Sequence, residues 1–198
     1  MRPVSKWTYS FVHQQYCEKY VFHNSSGIND NAMQRNQQDA RQGIKKRTKM
    51  DTQQIIAIVN DLFISVDNRD WKKVKIIFND TVMLDYTSMA GGEPANLSSI
   101  QIIDSWKDVL PGFDKTHHQL GNYLVEMDPL LAKVFCYGTA THYLSNESKN
   151  NIWTVVGSYD FELKSIRNSW RITKMKFNLK YVDGNTDLPI RARERMKK

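Results

Sequence analysis

The stretch VDNRDWKKVKIIFNDTVMLDYT, residues 66–87, changes its pattern of apolar residues halfway along. In its first half the apolar residues recur at helical spacing, namely Trp71, Val74, Ile77 and Phe78. Its second half alternates like a strand, one face of which holds Val82, Leu84 and Tyr86. Asp67 or Asn68 can accept the free backbone N–H groups at the start of the helix. The stretch therefore predicts a helix that leads directly into a strand, which is typical of a mixed α and β domain.

One further helix is predicted on each side of this stretch. The earlier helix spans residues 51–66, and its apolar stripe consists of Ile55, Ile56, Val59, Leu62, Phe63 and Val66. The later helix begins at Ser98, which has capping-box spacing to Gln101, and ends at Pro111. Between the strand and this helix, SMAGGEPANL (residues 88–97) is predicted to be a loop, because glycine and proline interrupt regular structure.

The remainder of the chain alternates between apolar and polar residues. Four strands are predicted, over residues 116–127, 132–144, 152–164 and 169–182. Helices followed by consecutive antiparallel strands form an α+β fold. We therefore expect three N-terminal helices packed on a curved, mostly antiparallel sheet, in one domain that spans residues 50–183.

Both ends of the chain are predicted to be basic extensions of this domain. Residues 1–49 carry a formal charge of +6 and residues 191–198 carry +4, so the total of +7 leaves −3 for the residues between them. Residues 24–49 are rich in Asn, Gln and Ser, which favours a linker or a disordered arm, and a short strand is predicted before it around residues 7–11. Residues 184–198 are predicted to be a basic tail, whose end, RARERMKK (191–198), is solvated and either irregular or helical. Because the positive charge lies in the ends, a nucleic-acid surface on the folded body is disfavoured.

The sequence lacks the patterns that are typical of metal sites, disulfide scaffolds, phosphate-binding loops and membrane spans. Cys17 and Cys136 have neither the spacing of a zinc site nor that of a disulfide scaffold. AGGEP, residues 90–94, lacks the lysine and the spacing of a phosphate-binding loop. No run of about 18 apolar residues could span a bilayer. We therefore expect no metal, no cofactor, no membrane anchor and no specific nucleic-acid partner, and we predict a cytoplasmic location.

Five short motifs, taken in order, resemble the nuclear transport factor 2-like superfamily, and more narrowly its SnoaL-like and scytalone dehydratase-like branch. The motifs are DNRDW (67–71), LDYTS (84–88), THHQLG (116–121), GTATHYL (138–144) and WRITKMKFNLKY (170–181). The resemblance implies a cone-shaped barrel whose sheet wraps around a cavity closed by helices. Members of the superfamily include polyketide cyclases, dehydratases and ketosteroid isomerases as well as domains without catalysis, so the fold alone does not fix the function.

The alternation of the predicted strands brings two histidines to one inner surface. His117 and His118 point to opposite faces, and the face of His118 also holds Leu120, Asn122 and Leu124. His142 shares its face with a row of small residues, Val134, Cys136, Gly138 and Ala140. Small side chains on a concave face leave room for a ligand, and imidazoles transfer protons near neutral pH. His118 and His142 are therefore candidate acids or bases, the alternative being hydrogen-bonded core histidines.

The scytalone dehydratase-like pattern implies two further catalytic residues. It has imidazoles at the positions of His118 and His142, a tyrosine at Tyr86 and an aspartate at Asp67. Tyr86 would donate a hydrogen bond to the substrate, the alternative being ordinary aromatic core. Asp67 would orient an imidazole, the alternative being a helix cap. The sequence departs from the pattern at Val66, where the family has a tyrosine.

Three more residues are predicted to bind the substrate. Tyr159 stands where the family has a polar amide, and it is expected to form a wall of the cavity. Trp106 of the third helix and Met89 of the glycine-rich loop are expected to close the mouth, with core packing or plain solvent contact as alternatives.

These residues predict a cofactor-independent acid/base enzyme, namely a lyase, isomerase or cyclase acting on a small apolar carbonyl or polyketide-like compound. The competing hypothesis is a non-catalytic module of the same fold that binds a small molecule or forms a homodimer through the outer face of the sheet. A third hypothesis, ranked last, is that the basic residues 1–49 recruit RNA or an acidic protein.

Overall fold

The computed structural model describes residues 30–167 and 169–197, and the chain divides into two compact units, Met1–Ile44 and Lys45–Lys198. The first helix, α1, is Asp30–Asp67, so the predicted start at residue 51 is wrong. The part of the predicted linker from residue 30 to 49 is helical because it has no proline, a single glycine and many good helix formers such as Gln, Arg, Lys and Ala. The predicted strand near residues 7–11 and linker residues 24–29 lie outside the described residues.

In the second unit, α1 buries the predicted apolar stripe and ends in a tight turn. The buried members of the stripe are Ile55, Val59, Leu62, Phe63 and Val66. Helix α2, Trp71–Ile77, follows, and the carboxylate of Asp70 accepts a hydrogen bond from the backbone N–H of Lys73 at 3.0 Å. The predicted caps, Asp67 and Asn68, are wrong because the turn delays the start of α2 until residue 71.

The predicted loop after the first strand contains more regular structure than expected. Strand β1, Phe78–Asp85, leads into a short helix α3, Thr87–Ala90. Strand β2, Ala95–Ser98, then pairs antiparallel with β1. The backbone groups on the outer edge of β1 are thereby hydrogen-bonded, which a pattern of glycine and proline does not reveal.

The last of the three predicted helices begins where the sequence predicts it. Helix α4 is Ser99–Lys107, and Ser98 and Gln101 form a capping box with hydrogen bonds of 3.2 and 2.8 Å. A 3-10 turn, Leu110–Gly112, follows at the predicted end.

Four long strands complete the sheet and confirm the predicted α+β fold. They are β3 (Lys115–Met127), β4 (Leu131–Tyr143), β5 (Ile152–Ile166) and β6 (Ser169–Gly184). The strand order is β2-β1-β6-β5-β4-β3, in which only the pair β1 and β6 is parallel among the described strands. Residues from α1, α2 and α4 form one buried core with those of one sheet face.

The C-terminal tail is helical, as the sequence allowed, because it contains helix α5, Leu188–Arg195, but it is not wholly solvated. Leu188 and Ala192 of this helix are fully buried, in a small cluster with Phe113 and Leu144. A side chain on Gly112 would overlap the backbone carbonyl of Ala192, so the glycine allows α5 to approach the 3-10 turn closely. Over residues 30–167 and 169–197, no helix combines the length and the apolar character that crossing a bilayer requires.

Candidate active site

Asp67, the last residue of α1, is held by two residues of β3. Its Oδ1 accepts hydrogen bonds from the Thr116 hydroxyl and from the His118 ring Nδ1, both at 2.8 Å, and its Oδ2 accepts one from the His118 backbone N–H at 2.7 Å. Burial works to raise the pKa of Asp67, but the hydrogen bonds and charge of His118, together with the Thr116 hydroxyl, outweigh it and hold the pKa below its usual value. Asp67 is therefore ionised at neutral pH. It holds the His118 ring in place through a hydrogen bond and does not cap a helix, which was the alternative interpretation.

The bond to Asp67 fixes the tautomer of His118. An ionised carboxylate can only accept hydrogen bonds, so Nδ1 of His118 carries the hydrogen and Nε2 presents a lone pair when the ring is neutral. The ring stacks on Phe63 with its centroid 5.0 Å away, and a tenth of the side chain is exposed. Its neighbour His117 is exposed, as predicted for the opposite face of the strand. His118 thus has a defined orientation and one free nitrogen.

His142 is buried among aromatic rings at the end of β4. Its ring centroid lies 4.5 Å from Trp153 and 4.9 Å from Phe113, and Nδ1 lies 3.3 Å from the Trp153 carbonyl oxygen. Because a carbonyl only accepts, Nδ1 carries the hydrogen here too. Burial, helped by the charge of His118, lowers the pKa of His142 to about 4. His142 is therefore neutral at pH 7, with a lone pair on Nε2.

The two imidazoles stand edge to face, with ring centroids 5.7 Å apart. Among the described residues neither Nε2 has a hydrogen-bond partner. In the described part of the chain, Ser65 Oγ is the only side-chain nitrogen or oxygen that is fully buried and has no hydrogen-bond partner. The Nε2 atoms of the two histidines have no partner either, so each of them must be accessible to solvent or to a small ligand. Two proton-accepting nitrogens on neighbouring rings can contact one small molecule, which is an arrangement suited to proton transfer.

Tyr86 lies in a different, apolar environment. Its hydroxyl is 4.0 Å from the sulfur of Met175, and its ring packs edge-on to Phe177 at 6.1 Å. Burial raises the pKa of Tyr86 far above its usual value, although a hydrogen bond with the Trp106 side chain offsets part of this effect. Tyr86 is not in direct ring contact with His118 or His142 among the described residues, and its catalytic role stays a prediction.

Tyr159 lies between these two environments. Its ring centroid is 5.0 Å from Phe63, which stacks on His118, and 4.8 Å from Phe177, which contacts Tyr86. The residue is buried, which raises its pKa well above the usual value, and its hydroxyl has no hydrogen-bond partner in residues 30–167 and 169–197. This position agrees with the predicted role as an inner wall.

The two residues predicted to close the mouth have different surroundings. Trp106 is half-buried, packs against Phe78 at 5.8 Å and interacts with the Tyr86 hydroxyl. Met89 of α3 is 41% exposed. Closure of the mouth by these two residues stays a prediction.

The row of small residues on β4 does not leave the space predicted for it. A Cβ on Gly138 would lie 2.5 Å from the Tyr159 ring and 3.0 Å from Leu120. Likewise, a Cβ on Gly157, the partner of Gly138 in β5, would lie 2.5 Å from the Phe177 ring. Each glycine therefore makes room for an aromatic ring of the adjacent strand. The predicted free space at Gly138 is wrong, because the Tyr159 ring fills it.

The predicted faces of β3 are correct only in its first half. Asn122 has a φ of 57°, and the pairing of β3 with β4 shifts between Gly121 and Leu124. Beyond this bulge the alternation is reversed, so Tyr123 packs against the core while Leu124 is 67% exposed. His118 lies before the bulge, which is why its inward direction was predicted correctly.

Sequence reasoning missed two polar residues that hold the site together. Thr116 donates to Asp67, and Arg69 donates to Thr116 at 2.9 Å. Thr116 carries a signal in hindsight, because it lies two residues before His118 and therefore on the same face of β3. Arg69 has no such signal, because its contacts depend on the turn between α1 and α2.

The described residues include two open depressions, both away from the histidines. One, of about 270 Å³, lies at the β3–β4 hairpin and is lined by Glu126, Met127, Asp128, Leu131 and Lys133. The other, of about 230 Å³, is lined by Lys107, Asp108, Arg193, Met196 and Lys197. Neither contains a candidate catalytic residue. Within residues 30–167 and 169–197, no three His, Cys, Asp or Glu side chains are grouped closely enough to hold a metal ion.

Comparison with known proteins places this geometry in a known fold. The model of the SnoaL-like domain family matches residues 47–176. The Kfla4162 protein from Kribbella flavida is 22% identical, with 74% of this chain and 99% of that chain covered and a TM-score of 0.66. No match is found among curated proteins.

Two other similar structures are named after enzymatic reactions. A candidate scytalone dehydratase from Novosphingobium aromaticivorans is 13% identical, covering 71% of this chain and 91% of its own, with a TM-score of 0.61. The hexachlorocyclohexane dehydrochlorinase LinA-type3 from Novosphingobium barchaimii is 15% identical, covering 70% and 94%, with a TM-score of 0.53. At such identities the likeness establishes the shared fold, which confirms the predicted cone-shaped α+β architecture.

Proposed function

This chain belongs to the SnoaL-like domain family, and on that premise we propose that it is a cofactor-independent acid/base enzyme. Its reaction is a dehydration, an isomerisation or a cyclisation of a small apolar carbonyl or polyketide-like compound, and in a cyclisation the enolate carbon attacks a second carbonyl of the substrate, whose oxygen then takes the proton. The observation that carries the proposal is the ionised Asp67 bonded to the ring of His118, with the ring of His142 5.7 Å away. A carboxylate behind an imidazole stabilises the imidazolium that forms when the ring takes a proton.

His118 is the proton-transferring group in this proposal. Its Nε2 removes a proton from the carbon next to the substrate carbonyl, and the electron pair of the C–H bond moves towards the carbonyl oxygen to give an enolate. In a dehydration, the enolate electrons form the new C=C bond while the same proton leaves with the departing hydroxyl as water. In an isomerisation, the proton returns to a different carbon. Each variant needs only one group that accepts and then donates a proton.

His142 orients the substrate and does not act as an acid. Because its pKa of about 4 keeps it neutral and Nδ1 faces the Trp153 carbonyl, Nε2 can only accept a hydrogen bond, for example from a substrate hydroxyl. Tyr86 and Tyr159 both keep their protons at neutral pH, and Tyr159, which contacts the Phe63 ring stacked on His118, donates to the enolate oxygen. The surrounding rings exclude water, which strengthens such hydrogen bonds.

The names of two similar structures support an elimination. One is named as a dehydratase and the other as a dehydrochlorinase, and both names describe the loss of a small molecule from a substrate. For this chain we propose the same type of chemistry, with the substrate still to be identified.

The proposal is tested by proton exchange and turnover. The protein is incubated in D₂O with a panel of small β-hydroxy carbonyl and 1,3-dicarbonyl compounds, and deuterium incorporation and product are followed by NMR and mass spectrometry. His118→Ala should lower the rate by about a hundredfold or more. His117→Ala is the matched control, because the neighbouring histidine is exposed on the opposite face and should leave the rate unchanged. Equal rates in the His118→Ala variant and the unmodified protein would reject the proposal.

One observation favours a second candidate function, a non-catalytic module that binds a small molecule unchanged or pairs with a second copy. The Tyr159 ring occupies the space beside Gly138, which leaves less room for a substrate to enter and react there. Native mass spectrometry of the purified protein separates the two functions. A bound compound that leaves with unchanged mass, together with no deuterium incorporation in any test compound, supports the binding module.

A further inference from the structure

The turn between α1 and α2 places an arginine in an unfavourable backbone conformation. Arg69 has a φ of 59°, in the left-handed region that glycine and asparagine adopt more readily than arginine. Its backbone N–H donates to the Val66 carbonyl at 3.1 Å, which closes the turn. Glycine or asparagine would close the same turn with less strain, so the turn itself does not require an arginine and the contacts of its side chain must account for it.

The guanidinium group of Arg69 bridges three separate segments. One nitrogen donates to the Val66 carbonyl at the end of α1 and to the Thr116 hydroxyl at the start of β3, both at 2.9 Å. The other nitrogen donates to the Leu110 carbonyl in the 3-10 turn at 2.6 Å. The half-buried side chain thus links the segments on either side of the Asp67–His118 pair.

The bond from Arg69 also determines the orientation of the Thr116 hydroxyl. Arginine only donates, so the hydroxyl oxygen accepts from Arg69 and its own hydrogen is directed elsewhere. The neighbouring acceptor is Asp67 Oδ1, at 2.8 Å. The same Oδ1 accepts from Nδ1 of His118 at 2.8 Å. A continuous series of hydrogen bonds therefore runs from Arg69 through Thr116 and Asp67 to the imidazole.

We propose that Arg69 is a positioning residue of the site, which acts through Thr116 to hold the Asp67 carboxylate in the orientation that keeps the hydrogen of His118 on Nδ1. The inference rests on the proposed function, because only then is the free Nε2 of His118 the reacting atom. It adds Thr116 and Arg69 to the site formed by Asp67, His118 and His142, and neither of the two added residues touches the substrate.

The test observes the imidazole directly and needs no substrate. In the full chain labelled with ¹⁵N-histidine, long-range ¹H–¹⁵N NMR spectra identify which ring nitrogen carries the hydrogen and how fast that hydrogen exchanges. The unmodified protein should show His118 with its hydrogen on Nδ1. Thr116→Val and Arg69→Asn should each speed exchange of this hydrogen by about tenfold, the effect of one lost hydrogen bond in the series. Asparagine is chosen because it suits the left-handed backbone and so preserves the turn.

Three further variants separate positioning from general stability. Thr116→Ser restores the hydroxyl and should return exchange to the rate of the unmodified protein. Arg69→Lys retains a charged donor with fewer hydrogen bonds and should give an intermediate rate. Arg191→Asn is the matched control, because Arg191 is exposed on α5, and it should change nothing at His118.

These measurements distinguish failure of the hydrogen-bond network from failure of the proposed enzyme function. The network is rejected if Arg69→Asn and Thr116→Val, both folded by circular dichroism, leave the tautomer and the exchange rate of His118 unchanged, or if Thr116→Ser fails to restore them. It is also rejected if the unmodified protein carries the His118 hydrogen on Nε2. If the spectra behave as expected but no compound exchanges deuterium or turns over, the network stands and the proposed enzyme function fails.

Discussion

The histidine end and the tyrosine end of the interior differ in how their polar groups are held. At the histidine end, Asp67 receives three hydrogen bonds, and each imidazole has one ring nitrogen hydrogen-bonded and the other without a partner among the described residues. At the tyrosine end, the Tyr86 hydroxyl lies beside Trp106 and the sulfur of Met175, and the Tyr86 ring packs edge-on against Phe177.

The difference shows that facing inward is not sufficient to make a residue a candidate catalyst. An acid or base needs a second group that fixes its tautomer and balances its charge, and only the histidine end contains one. The tyrosine end supplies apolar surface and a protonated hydroxyl.

The largest expected effect is a pH-dependent loss of stability caused by His142. Its pKa in the folded protein is about 4, below the ordinary value of 6.5, so the unfolded chain binds the proton more readily between these pH values. The free energy of unfolding should therefore be greatest above pH 6.5 and should fall by up to about 3 kcal/mol as the pH drops to 4. Urea unfolding at pH 7.5, 5.5 and 4.5 measures this slope. In His142→Gln the slope over this range should become shallower, and an unchanged slope would contradict the assignment.

The second effect concerns turnover and isolates Asp67. Asp67→Asn keeps the shape of the side chain but removes the charge and allows the imidazole to change tautomer, so turnover should fall by about a hundredfold. Asp70→Asn is the control, because asparagine caps a helix as well as aspartate does. If both variants retain full activity on a compound that the unmodified protein converts, the histidine end has no catalytic advantage over the tyrosine end.

The third effect tests the packed region between the two ends. Gly138→Ala places a methyl group against the Tyr159 ring and should lower the free energy of unfolding by about 2 kcal/mol. Gly121→Ala is the control, since a Cβ there meets no atom within 4 Å. Thermal unfolding of the two variants provides the measurement. Equal stability would mean that Tyr159 moves aside easily and that the interior opens for a ligand.

The smallest effect is expected for the tyrosine end. Tyr86→Phe removes a hydroxyl whose hydrogen-bond partners are a sulfur at 4.0 Å and the Trp106 side chain. The free energy of unfolding should change by less than about 1 kcal/mol, and turnover should fall by less than about tenfold. A loss as large as that of Asp67→Asn would show that both ends act on one substrate.

Helical spacing and strand alternation were sufficient to predict the α+β class, and strand alternation predicted the inward direction of the two histidines, whereas the cone shape came from the family resemblance. Strand alternation failed at Gly121, because a bulge adds a residue without any change in the apolar pattern that precedes it. It also failed at Gly138, because the ring that fills the space comes from Tyr159 in the adjacent strand, and cross-strand packing is not contained in the pattern of a single segment.

The role of Asp67 shows the same limit at a single residue. From the sequence, a helix cap and an orienting carboxylate were both consistent with an aspartate before a helix. The structure distinguishes them because Asp70 is the cap and Asp67 is bonded across the molecule to His118, 51 residues later. Helix α1 was predicted too short for a different reason, since a lack of apolar side chains removes packing partners without changing the backbone preference for helix.

The parallel pairing of β1 with β6 has a consequence for biosynthesis. Phe78 is paired with Ile172 and Leu84 with Met175, so this side of β1 has no neighbour until about a hundred further residues, up to β6, have left the ribosome. Contacts between such distant segments close slowly. During translation the nascent sheet therefore exposes an unpaired edge, and a chaperone that covers extended segments should increase the yield of folded protein.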